Sequence, residues 1–227
     1  MPDPEALAEG LSARVVATPR RRLRVLERER DDRATPPDGT IVFLHGAVAP
    51  VPFWQELMRG LPSDLRVIAI DLRGSADPVS ADDLPAVSDD VRAVLDALDV
   101  ETAHLVGWSV GGAVAVQYAL DHPVLSLTLQ SADDGVDATG LPEAAGTPPV
   151  LWIRGPGEPA EAIREAAAAY ARAGGDVTEV SLDGVGDRPH RDQPTVFRQA
   201  LLERIGYLGH PQDPAPPTEA IILRSAD

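Results

Sequence analysis

The chain has 227 residues, 44% of them hydrophobic, no cysteine and a formal net charge of −16. That length buries one sizeable core, so a single domain is the default. The lack of cysteine excludes disulfides and thiolate metal sites, and the negative charge argues against nucleic acid and anionic membrane surfaces as partners.

The opening stretch Met1-Pro2-Asp3-Pro4-Glu5 is acidic and lacks an apolar core, which predicts no secretory signal. No apolar run approaches the roughly 20 residues that cross a bilayer, so a soluble cytoplasmic protein is expected. Leu11 to Ala17 reads as a first strand, and Leu23 to Glu29 as an edge strand alternating apolar and charged residues. The run Arg20-Arg21-Arg22 between them reads as a solvated turn. Thr40-Ile41-Val42-Phe43-Leu44 is continuously apolar, as a strand buried on both faces requires, and ends in His45-Gly46-Ala47. Phe53 to Arg59 is a short helix. Arg66 to Ile70 is a buried strand ending at Asp71-Leu72-Arg73-Gly74. Val87 to Leu98 is an amphipathic helix with Val87, Val91, Val94, Leu95 and Leu98 on one face.

His104-Leu105-Val106 then leads into Gly107-Trp108-Ser109-Val110-Gly111-Gly112 and a helical pattern from Ala113 to Leu120. Strand, Gly-x-Ser-x-Gly and helix make a nucleophile elbow. The serine sits on a tightly bent turn, so small residues are needed two positions before and two after it. The turn lifts the Ser109 hydroxyl above the sheet and aims a helix N-terminus at the same spot. After Asp121-His122-Pro123, Val124 to Gln130 is a strand and Ser131 to Thr147 has no clear period. Val150 to Ile153 is a strand, Glu161 to Arg172 an alanine-rich helix, and Val177 to Leu182 the last strand of the main sheet. Asp183 to Pro194 is a loop, Thr195 to Ile205 the last helix, and residues 209–227 a proline-rich tail, leaving one domain over residues 1–208. Alternating strands and helices predict an α/β fold: a mostly parallel sheet with helices on both faces and a site at the carboxyl ends of the strands. His45, Asp71, Ser109, Asp133, Glu158 and the loop after Leu182 all fall there.

In these motifs the chain resembles the α/β-hydrolase fold family over about residues 12–206. The pieces are Phe43-Leu44-His45-Gly46, Asp71-Leu72-Arg73-Gly74, the elbow, Asp121-His122-Pro123, and the loops Gly155–Glu158 and Gly184–Pro194. The resemblance implies a Ser–acid–His triad in that chain order, with Ser109 as nucleophile. It also implies an oxyanion hole from the backbone N–H groups of Val110 and Ala47, with His45 shaping the loop. The acid maps onto Glu158, with Asp133 in reserve. No cofactor or metal is implied.

Two features depart from the family pattern. Where Gly-His-x-Pro-His is common, this chain has Gly186-Asp187-Arg188-Pro189-His190. Asp187 takes the place of the catalytic histidine, and a carboxylate with pKa about 4 is a poor base at neutral pH. His190, three residues on, is the candidate base in a rearranged loop. The alternative is a histidine packed beside the last helix. The second departure is the cap: only the 18 residues Ser131 to Pro148 separate the flanking strands. A capless cleft is expected, walled by some of Phe53, Trp54 and Trp108. Three functions stay open: a serine hydrolase of a small-molecule ester or lactone, an inactive pseudohydrolase that binds a ligand or partner, and a cofactor-free lyase or cyclase.

Overall fold

The computed structural model describes residues 7–28, 39–46, 51–72, 79–130, 146–154, 160–182, 185–186, 188–207 and 222–224. Its strands are β1 (Leu11–Ala17), β2 (Arg22–Arg28), β3 (Thr40–Leu44), β4 (Arg66–Ile70), β5 (Ala103–Trp108), β6 (Ser126–Gln130), β7 (Val150–Arg154), β8 (Val177–Ser181) and β9 (Ile222–Arg224). Its helices are α1 (Gln55–Gly60), α2 (Leu84–Ala97), α3 (Val110–Asp121), α4 (Ala160–Arg172), α5 (Pro189–Asp192) and α6 (Pro194–Arg204), with a 3₁₀ turn at Val51–Trp54.

The strands form one sheet in the order β1-β2-β4-β3-β5-β6-β7-β8-β9. From β4 to β8 every neighbouring pair is parallel, and β1, β2 and β9 add antiparallel pairings at the two ends. Parallel strands need both faces covered, and the pleat sends alternate side chains to the two faces. Val42, Leu44, Leu105, Leu127 and Leu129 pack with Val91, Leu95, Val114 and Tyr118 of α2 and α3. Ile41, Phe43, Val106, Trp108 and Ile153 pack on the other face with Leu57, Met58, Phe197 and Leu201 of α1 and α6.

Three expectations are corrected. β2 is not an edge strand: it lies between β1 and β4, and Val25 and Leu26 are both fully buried. The arginine turn is the exposed one expected, with Arg20 paired to Asp89 (2.8 Å) and Arg21 to Asp90 (3.0 Å) on α2. Val177–Ser181 does not end the sheet, since Ile222–Arg224 of the expected tail pairs antiparallel with it. That short strand supplies backbone partners to the β8 edge. The expected loop 183–194 also contains the short helix α5.

Candidate active site

Ser109 links β5 to α3 with φ 51° and ψ −125°, a backbone region that residues with a Cβ rarely occupy. Strain of this kind persists only where the surroundings impose it. Here Gly107 and Gly111 allow them to. A Cβ on Gly107 would come within 2.5 Å of the Gly111 carbonyl oxygen, and one on Gly111 would overlap the Leu44 carbonyl. The turn is held by Ser109 N–H donating to the Gln130 carbonyl (3.0 Å) and Gly112 N–H donating to the Ser109 carbonyl (2.7 Å). Val110 opens α3, so its N–H has no intrahelical acceptor and lies at the positive end of the helix dipole.

The loop after β3 lies against this turn. A Cβ on Gly46 would approach the Trp108 ring to 2.9 Å and Ser109 Cβ to 3.2 Å. His45, buried behind it, uses both ring nitrogens. Nδ1 lies 2.7 Å from the Gly46 carbonyl oxygen, and Nε2 lies 3.0 Å from the Asp71 carboxylate and 3.1 Å from the Leu72 backbone nitrogen. These contacts join the ends of β3 and β4 and fit a loop-shaping role. Ala47, the second expected oxyanion donor, lies outside the described residues, as do Asp133, Glu158 and Asp187.

His190 lies on α5 and is 2% exposed. Its ring meets Trp54 (4.4 Å between centroids), Phe53 (4.9 Å), Trp108 (5.7 Å) and Phe197 of α6 (6.1 Å). So it packs against the last helix and also reaches the residue preceding Ser109. Burial, helped by the nearby positive charges of Arg191 and Arg188, pushes its pKa down to about 3. The ring is neutral at pH 7. Nδ1 is 3.0 Å from Gln130 Oε1, and Nε2 is buried without a hydrogen-bond partner among the described residues. The Ser109 hydroxyl makes no hydrogen bond among the described residues, so serine and histidine share an edge without being joined.

Trp54 is fully buried and packs on Phe43 (4.9 Å). It floors the histidine site and does not face solvent. Phe53 stacks on Trp108 (4.9 Å, 15°), and the Arg191 guanidinium lies 4.9 Å over the Phe53 ring. Sequence reasoning passed over Gln130. Its signal was present: Leu127 and Leu129 face α2 and α3, so Thr128 and Gln130 face the other side, and the register sets Gln130 beside Trp108.

Comparison with known proteins gives the same picture. Residues 39–159 match the model of the alpha/beta hydrolase fold. The AB hydrolase superfamily protein YisY of Bacillus subtilis is 40% identical over 86 residues, 36% of this chain and 32% of that protein. The pimeloyl-[acyl-carrier protein] methyl ester esterase of Aeromonas hydrophila is 38% identical over 87 residues, 37% of this chain and 33% of that protein. The matched stretches thus span about a third of these curated relatives. Naproxen esterase (carboxylesterase NP) from Bacillus subtilis superposes with a TM-score of 0.69 at 16% identity, over 85% of this chain and 90% of that one. At that identity the likeness shows the fold alone. No helix among the described residues is long and apolar enough to cross a membrane. The match over more than half the chain, together with the parallel sheet and the strained turn between β5 and α3, places this protein in the α/β-hydrolase fold family.

Proposed function

We propose that the chain is a serine hydrolase of small-molecule esters, with Ser109 as nucleophile. One observation carries this reading: a non-glycine residue held at φ 51° between two glycines that nothing larger could replace. Such strain is not needed to join a strand to a helix, and it aims the hydroxyl beyond the sheet edge at a helix N-terminus. The esterase relative adds support from similarity.

In this mechanism Ser109 Oγ adds to the ester carbonyl carbon as its proton passes to His190 Nε2. The developing oxyanion is met by the N–H groups of Val110 and Ala47. Collapse breaks the C–O bond, and the departing alkoxide takes the proton from Nε2, leaving alcohol and acyl-Ser109. Water repeats the sequence and releases the acid. Glu158, or Asp133, is the family-derived candidate for the triad acid, although among the described residues it is Gln130 Oε1 that stands at His190 Nδ1. Nε2 of His190 is free to take the proton, but burial makes it a weak base in the free protein, so the step needs substrate to change its surroundings; catalytic hydrogen bonds in free enzymes are often long, tightening only when substrate binds.

A second reading has its own observation. Ser109 and His190 are not joined, which suits a protein that keeps the fold and binds a ligand without turning it over. A fluorophosphonate probe separates the two. Labelling that disappears in Ser109→Ala supports the hydrolase, and a parent chain that never labels supports the binding protein.

A further inference from the structure

We infer that Gln130 is a positioning residue for His190, doing with a neutral amide what a triad carboxylate does with a charge. This deepens the hydrolase reading and rests on it for its catalytic meaning. Gln130 is fully buried at the carboxyl end of β6 and holds both partners of the reaction. Its backbone carbonyl takes the Ser109 N–H at 3.0 Å, and its side-chain Oε1 stands 3.0 Å from His190 Nδ1.

An amide oxygen only accepts, so the single ring proton of a neutral His190 must sit on Nδ1. That leaves the lone pair on Nε2, the tautomer a general base needs. Among the described residues no other group hydrogen-bonds the ring. Phe53 and Trp54 of the 3₁₀ turn, Trp108 of β5 and Phe197 of α6 pack on it without charge, and the cations Arg188 and Arg191 come from its own segment. A carboxylate would fix the same tautomer and also stabilise the imidazolium formed when Oγ gives up its proton. An amide fixes the tautomer alone. The base is therefore oriented correctly but charges reluctantly.

The test is long-range proton–nitrogen NMR on the full chain, with His190 assigned by its loss in His190→Gln. The parent ring is expected to carry its proton on Nδ1 and to stay neutral from about pH 8 to about pH 4. Gln130→Glu is expected to move the ring's titration up by about two pH units and to speed fluorophosphonate labelling of Ser109 about tenfold or more at neutral pH. Gln130→Met keeps the bulk, removes the acceptor and should lose the single tautomer. A parent ring protonated on Nε2 overturns the inference, and this measurement needs no variant to fold. A Gln130→Met ring unchanged in tautomer and pH response also overturns it. If the tautomer is as expected but Ser109 labels in neither the parent nor Gln130→Glu, Gln130 still holds His190 and the hydrolase reading is what fails.

Discussion

The two edges of the parallel sheet treat buried polar groups differently. At the amino edge, the guanidinium of Arg28, 7% exposed, gives its terminal nitrogens to the carbonyls of Met58 (2.7 Å), Leu61 (2.6 Å), Pro62 and Leu65 (2.7 Å). Arg66 joins Glu27 (2.9 Å) and the Leu98 carbonyl (3.0 Å), and His104 Nδ1 meets Ser126 Oγ (2.8 Å). At the carboxyl edge, Trp54 Nε1, Gln130 Nε2 and His190 Nε2 are buried without a hydrogen bond among the described residues, beside a serine held at positive φ. Leaving a buried polar atom unpaired costs about 1–3 kcal/mol; the amino edge has such an atom too, Arg204 Nε, but only at the carboxyl edge do they gather beside a strained backbone. Ligands in open α/β sheets bind at the carboxyl edge.

The comparison breaks first at Ser109. Ser109→Ala is expected to lower ester hydrolysis by about 10³–10⁴, while stability changes by less than about 1 kcal/mol. Initial rates on a short activated ester and a urea melt measure both. A large loss of stability would make Ser109 a structural residue and erase the contrast. Arg28→Met is the mirror experiment. Four carbonyls lose their donor, so the urea midpoint should fall by an amount worth about 3 kcal/mol, with the rate of Ser109 labelling per folded molecule unchanged. A loss under about 1 kcal/mol would mean that the amino edge is no better secured than the other.

The third prediction uses pH. His190 has a folded pKa of about 3, against about 6.5 unfolded. Between these values the unfolded chain binds the proton that the folded chain refuses, so stability falls as pH falls. The loss attributable to His190 is about 2 kcal/mol between pH 7 and pH 5. It should be absent from His190→Phe, and parallel pH slopes in the two proteins would refute it. The smallest effect sharpens the comparison. Ser109→Gly removes the Cβ at φ 51° and should raise stability by about 1 kcal/mol as labelling is lost.

Much of this was legible beforehand because it is local. Thr40–Leu44 and Arg66–Ile70 were read with the boundaries later found, since strands buried on both faces are apolar without interruption. The elbow was legible because Gly107 and Gly111 answer a steric demand within five residues. The strand at Leu23 was misplaced as an edge because its arginines suggested solvent on one side. β9 was missed because a three-residue strand has too little pattern to be seen and exists only through its pairing with β8.

By itself, then, the sequence determined the alternation of strands and helices, the parallel sheet and the strained serine at its carboxyl edge. Each of these follows from the period of apolar residues or from crowding between near neighbours. Tertiary structure alone decided the company of His190. It is separated from Gln130 by 60 residues along the chain, and only the packing of α5 onto the ends of β5 and β6 brings them to 3.0 Å. Its neutrality has the same origin, because burial among Phe53, Trp54, Trp108 and Phe197 sets a desolvation that no local pattern encodes.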